Sequence, residues 1–177
     1  LQGDPLSALL YILCVDCLMG ALKHTCPLDM FRACADDLCG VLSNIRSLIS
    51  IQVVFEEFSS ISGNCLRPEK CVVVVLSFPL EGNILSVKEY LAQHIPKWAS
   101  FSVVTHATYL GFVMGPTAGK HIFAKAKKEW LHRIADLAST SAGPTISVLN
   151  YNIKVVSIFS YLCQLIPIPN DILTKEH

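Results

Sequence analysis

The chain lacks a surplus of charge of either sign: 14 Lys plus Arg balance 14 Asp plus Glu across 177 residues. A protein coated in basic residues to meet phosphates is therefore excluded, although a local basic stripe is compatible with a neutral total. It also lacks an uninterrupted run of about 20 apolar residues, the length that spans a bilayer. The most apolar stretch, residues 6–15, ends at Asp16, and a second, residues 153–168, is broken by Lys154, Gln164 and Pro167. No membrane partner is expected, and residues 6–22 are expected to form a buried core helix. A zinc centre lacks its second half. Cys14 and Cys17 form a C-x-x-C, but no matching His or Cys pair accompanies them, so buried thiols are expected. No signal peptide precedes the eight cysteines, which argues for free thiols and against secretion. Internal repeats and low-complexity tracts are absent too.

What is present is apolar bulk. Hydrophobic residues make up 52% of the chain, enough to bury a substantial core. After Pro5, placed as in a first helical turn, the apolar run predicts a helix to about residue 22. Two short apolar arms around Ala35-Asp36-Asp37 predict a strand–turn–strand hairpin. Ser43 or Asn44 is expected to cap a helix whose apolar face is Leu48, Ile51, Phe55, Phe58 and Ile61, with Gly63 as its C-terminal stop. The β-branched run at residues 71–76 predicts a strand buried on both faces. Residues 79–100 read as a connector with a short helix near 87–94. Residues 103–114 return to strand character, and the Gly115–Gly119 segment is a clear break. Phe123, Ala126, Trp130, Ile134 and Leu137 then predict a helix, with Lys125, Lys128 and Arg133 largely on its other side. Gly143-Pro144 ends it, and a last apolar helix runs to about residue 165. The expected organisation is α+β over residues 1–116 and helical over residues 117–177.

Asp36 and Asp37 carry the clearest chemistry. Two adjacent carboxylates at a tight turn repel, and ionising both is costly without a cation. Mg²⁺ is commonly held by one or two carboxylates together with substrate phosphates. Nucleotidyl transfer uses two such ions about 3.5–4 Å apart, one at the attacking oxygen and one at the leaving group. Taken alone, an A-D-D turn reads first as a solvated bend.

The order of segments adds to this. Gln2-Gly3-Asp4-Pro5-Leu6-Ser7 stands before an apolar helix. Cys34-Ala35-Asp36-Asp37-Leu38 follows, then an amphipathic helix, Ser62-Gly63, Lys70 ahead of a β-branched run, and Tyr109-Leu110-Gly111. This series resembles the palm of reverse transcriptases, specifically those of non-LTR retrotransposons, over nearly the whole chain. The Q-G-x-P-L-S segment is similar to their motif B, Cys34 to Asp37 to motif C, residues 62–75 to motif D, and residues 109–115 to the primer-grip segment. The resemblance implies a partial polymerase palm: a motif B helix, an A-D-D hairpin, a motif D helix and strand, a primer-grip strand, and a helical thumb-like tail.

The resemblance implies roles as well. Gln2 and Gly3 would line the pocket for nucleotide and template, and Gly3, lacking a Cβ, would let the backbone approach closely. Asp36 would be the direct ligand of Mg²⁺ (or Mn²⁺), with Asp37 beside it. Lys70 would neutralise or protonate departing pyrophosphate; read from its residues alone, it is an exposed lysine flanking a strand. Tyr109 and Gly111 would position the primer end; alone, they read as a core-packed strand with a Gly bend. Lys120, Lys125, Lys127, Lys128 and Arg133 would meet phosphates of an RNA template and DNA primer, or else form an ordinary charged helix face. Deoxynucleotide triphosphates would be the substrates, and the family implies a nuclear or cytoplasmic setting.

Two departures shape the expectation. Cys34 stands where the family has an aromatic, and the family's first catalytic Asp, on a strand before motif B, has no counterpart in Asp4, Asp16 or Asp29. The chain opens on Leu1-Gln2-Gly3, so a fragment lacking the fingers is expected, inactive by itself. The alternative is a degenerate retroelement remnant with at most weak nucleic-acid binding.

Overall fold

A computed structural model describes residues 6–173. Among the described residues the architecture is α+β, with helices predominating and three separate two-stranded sheets. The chain divides into two compact units, Leu1–Thr105 and His106–His177.

The first unit opens with α1 (Ser7–Thr25). Its second half buries Val15, Leu18, Met19 and Leu22, at three- and four-residue steps. The first half does not enter the core: Leu9, Leu10, Ile12 and Leu13 are each more than half exposed. The expected buried helix is thus buried over only part of its length, and by length and composition alone α1 could cross a bilayer. Cys14 and Cys17 are exposed, which corrects the expectation of buried thiols, and all eight cysteines are free. Cys14 and Cys17 lie on the sides of α1 that the core does not reach.

The strands β1 (Met30–Cys34) and β2 (Asp37–Val41) form the expected antiparallel hairpin, in register from Met30↔Val41 to Cys34↔Asp37. Phe31 is buried on its inner face. A Cβ at Gly40, opposite, would come within 3.2 Å of the Phe31 ring, so the strand is kept bare where the ring lies across it. Helix α2 (Ser47–Ser62) follows an Asx turn in which the Asn44 side-chain oxygen accepts from the Arg46 N–H at 2.9 Å; the residue before the helix is Arg46 and no side chain caps it, so neither Ser43 nor Asn44 serves as the expected cap. Leu48, Ile51 and Val54 are buried, and Phe55 and Phe58 pack on the core. Ile61, at 87% exposure, falls outside the predicted face because the helix end has run past the core. Gly63 stops the helix as expected, with φ 72° and its N–H donating to the Ser59 carbonyl.

Strand β3 (Val72–Val74), helix α3 (Leu80–His94) and strand β4 (Ser102–Val104) form a β–α–β unit whose strands pair in parallel. A parallel pair requires a crossover of a dozen or more residues, and the stretch taken for a connector supplies it. Leu80, Ile84, Val87 and Leu91 recur at helical spacing and pack inward. Trp98 closes the unit, stacked on Phe101 (5.0 Å) and edge-on to Phe55 (6.0 Å). The strand at 71–76 is not buried on both faces: Val72 and Leu76 are exposed and only Val75 is buried, because one partner strand is too little to cover it.

In the second unit, β5 (Ala107–Tyr109) and β6 (Phe112–Met114) make a hairpin, so the strand character expected over 103–114 is divided between the end of β4 and this hairpin. A 3₁₀ turn (Ala118–Lys120) leads to α4 (Ala124–Ser139), whose buried stripe of Phe123, Ala126 and Trp130, with Ile134 and Leu137 packed alongside, is the predicted one. The last predicted helix is segmented: α5 (Pro144–Asn150), a π-helical stretch (Tyr151–Val156) and α6 (Ser157–Ser160) run on without a break, and α7 (Asn170–Leu173) follows a 3₁₀ turn. Val155, Phe159, Leu162 and Ile172 complete this core. The unit boundary falls ahead of the Gly115–Gly119 break because the β5–β6 hairpin packs on the helices that follow it. The Tyr161 hydroxyl donates to the Leu110 carbonyl at 2.6 Å, and Phe112 lies 4.8 Å from the Tyr161 ring.

Candidate functional site

The β1–β2 hairpin turns in two residues, Ala35 and Asp36, between the paired Cys34 and Asp37. Tight two-residue turns need positive φ at a central position, which glycine supplies most cheaply. Here Ala35 adopts it, at φ 51°, at a cost of roughly 1–2 kcal/mol for a residue with a Cβ. Asp36 therefore sits on the tip. Asp37 opens β2 and by register shares the outer face with Arg32, Cys34 and Cys39. Cys34, Ala35, Asp36 and Asp37 are all exposed. Among the described residues neither carboxylate has a hydrogen-bond or ion-pair partner, so both are open to solvent and to a cation.

The other end of this hairpin is fastened by side chains. Asp29, just before β1, accepts from both the Ser43 N–H (2.7 Å) and the Ser43 hydroxyl (2.8 Å), just after β2, through one oxygen. Burial pushes the Asp29 carboxyl up, but the Ser43 N–H and then the Ser47 and Ser43 hydroxyls outweigh it and leave the group below its ordinary value. The second oxygen, Oδ2, is buried and no donor meets hydrogen-bond geometry there. The Ser43 pair therefore carries the clamp.

The other expected residues are scattered. Gln2 and Gly3 lie outside the described residues. Lys70 ends a 3₁₀ turn (Pro68–Lys70) and is exposed, with no hydrogen bond or ion pair to Asp36 or Asp37. Among the described residues no group of three or more His, Cys, Asp or Glu side chains could hold a metal ion. The two aspartates are thus a partial ligand set, able to share an ion with phosphate oxygens and water but not to enclose one.

In the second unit, Tyr109 ends β5 and Gly111 sits in another two-residue turn. Leu110 (φ 47°) and Gly111 (φ 82°) both have positive φ, the pattern of a type I′ turn. Gly111 is required twice over, since a Cβ there would also lie 3.1 Å from the Tyr161 ring. Lys120 closes its 3₁₀ turn, Lys125 and Lys128 stand exposed on α4, and Lys127 is half-buried. Arg133 is engaged within the fold: its Nε donates to Glu129 (2.8 Å) and its Nη1 to the Lys154 carbonyl in the π-helical stretch (2.7 Å).

Sequence reasoning missed two groups here. The first is a pair of exposed histidines beside lysines already singled out: His132 follows Lys125 and Lys128 on α4 at three- and four-residue steps, and His121 lies in the turn just ahead of that helix, a spacing the sequence itself could have disclosed. His132 also lies 3.5 Å from Asp136. His106 stacks on His121 at 4.3 Å and hydrogen-bonds Thr117 at 2.9 Å, a contact between segments that no local pattern signals.

Compared with known proteins, the chain matches no family model, no curated protein and no solved structure.

Proposed function

We propose that the chain is part of a reverse transcriptase palm and thumb of the non-LTR retrotransposon type, in which the A-D-D hairpin meets Mg²⁺ bound to nucleotide phosphates. The observation that carries this reading is the hairpin tip: two adjacent, exposed, unpartnered carboxylates presented by a two-residue turn in which Ala35 takes a costly conformation. Strained backbone of this kind clusters at functional sites. The helix–hairpin–helix–strand order of residues 7–74 fits the same reading. In it, Asp36 supplies the direct metal oxygen, Asp37 a neighbouring one, and Tyr109 and Gly111 belong to the primer-grip hairpin. Lys120, Lys125 and Lys128 face phosphates, while Arg133 holds the helices together.

Within these 177 residues the aspartate pair has no third acidic or histidine partner among those described. Mg²⁺ affinity of the chain alone should be in the millimolar range or weaker, and primer extension should be absent. That shortage also favours a second reading, a degenerate remnant that retains the hairpin and has lost the chemistry. Titration with Mn²⁺, followed by NMR line broadening, tests the assignment. Broadening should centre on residues 35–38 and disappear in Asp36→Asn. Broadening elsewhere, or none at several millimolar Mn²⁺, would overturn the metal role. Template-directed synthesis by the isolated chain would overturn its inactivity.

A further inference from the structure

We draw no further inference here: the strongest candidate, the apolar first half of α1 with the groove beside β1, exposes Leu9, Leu10 and Leu13 on one face and Tyr11 and Ile12 on the opposite one, so that a two-fold pairing of copies covers only one of them, and nothing in the structure shows what covers the other.

Discussion

The two hairpins with two-residue turns solve the same backbone problem in opposite ways. Each places a residue with a side chain in the left-handed region, Ala35 at φ 51° in one and Leu110 at φ 47° in the other. At the β5–β6 tip the surroundings hold that conformation: Tyr161 donates its hydroxyl to the Leu110 carbonyl, and Gly111 leaves room for the Tyr161 ring. At the β1–β2 tip nothing among the described residues holds it, and the fastening is at the other end, between Asp29 and Ser43. One tip is a packing device. The other keeps its polar groups free while its base is secured, as expected of a turn that presents ligands.

The largest effect is expected where a side chain would break the clamped tip. Gly111→Ala adds a Cβ 3.1 Å from the Tyr161 ring at φ 82°. It should cost about 2–3 kcal/mol, combining the left-handed penalty with the displaced ring. Tyr161→Phe, which removes only the hydroxyl bonded to Leu110, should cost about 1 kcal/mol. Denaturant unfolding reads both. If Gly111→Ala is as stable as the parent, the tip is not held against Tyr161 and the contrast between the hairpins disappears.

Next in size is the base of the acidic hairpin. The Asp29 carboxyl has its folded-state value lowered by Ser43 against the opposing pull of burial. Its contribution is therefore complete above the unfolded value of about 3.9 and is lost as pH falls through the lower folded value. Asp29→Asn should cost about 1 kcal/mol at neutral pH, where a charged acceptor is replaced by a neutral one. The gap from the parent should narrow as pH is lowered below about 4. Unfolding curves across that range check this, and a gap independent of pH would show that the Ser43 bonds need no charge.

The contrast between the tips was only partly legible in the sequence. A-D-D between apolar arms predicts a hairpin because turn residues and alternating strands are local signals, and the faces of α2 and α4 were readable for the same reason: Leu48 and Ile51, or Ala126 and Trp130, meet the core at helical spacing. What escaped was set by distant partners. Tyr161 is 51 positions from Leu110, and Ser43 is 14 from Asp29. The exposure of Cys14 and of Leu9 depends on what lies across from α1, which composition does not encode. The first half of α3, ahead of the short helix expected near residues 87–94, escaped for a different reason. Gly82 and Asn83 in its first turn weaken local propensity, although Leu80, Ile84, Val87 and Leu91 keep the period.

The smallest effect on stability bears most directly on function. Ala35→Gly removes the Cβ from the left-handed position and should stabilise the chain by about 0.5–1 kcal/mol, the relieved strain being offset in part by the extra freedom of glycine when unfolded. If the strain serves to aim Asp36, the same substitution should weaken Mn²⁺-induced broadening at residues 36 and 37, because a glycine turn samples more conformations. Stability and cation binding would then move in opposite directions. At the clamped tip Leu110→Gly should raise stability by a similar or smaller amount without touching the Mn²⁺ response, since Tyr161 already fixes that turn. A gain in both stability and broadening at Ala35→Gly would mean that the strained alanine is incidental to how the aspartates are presented.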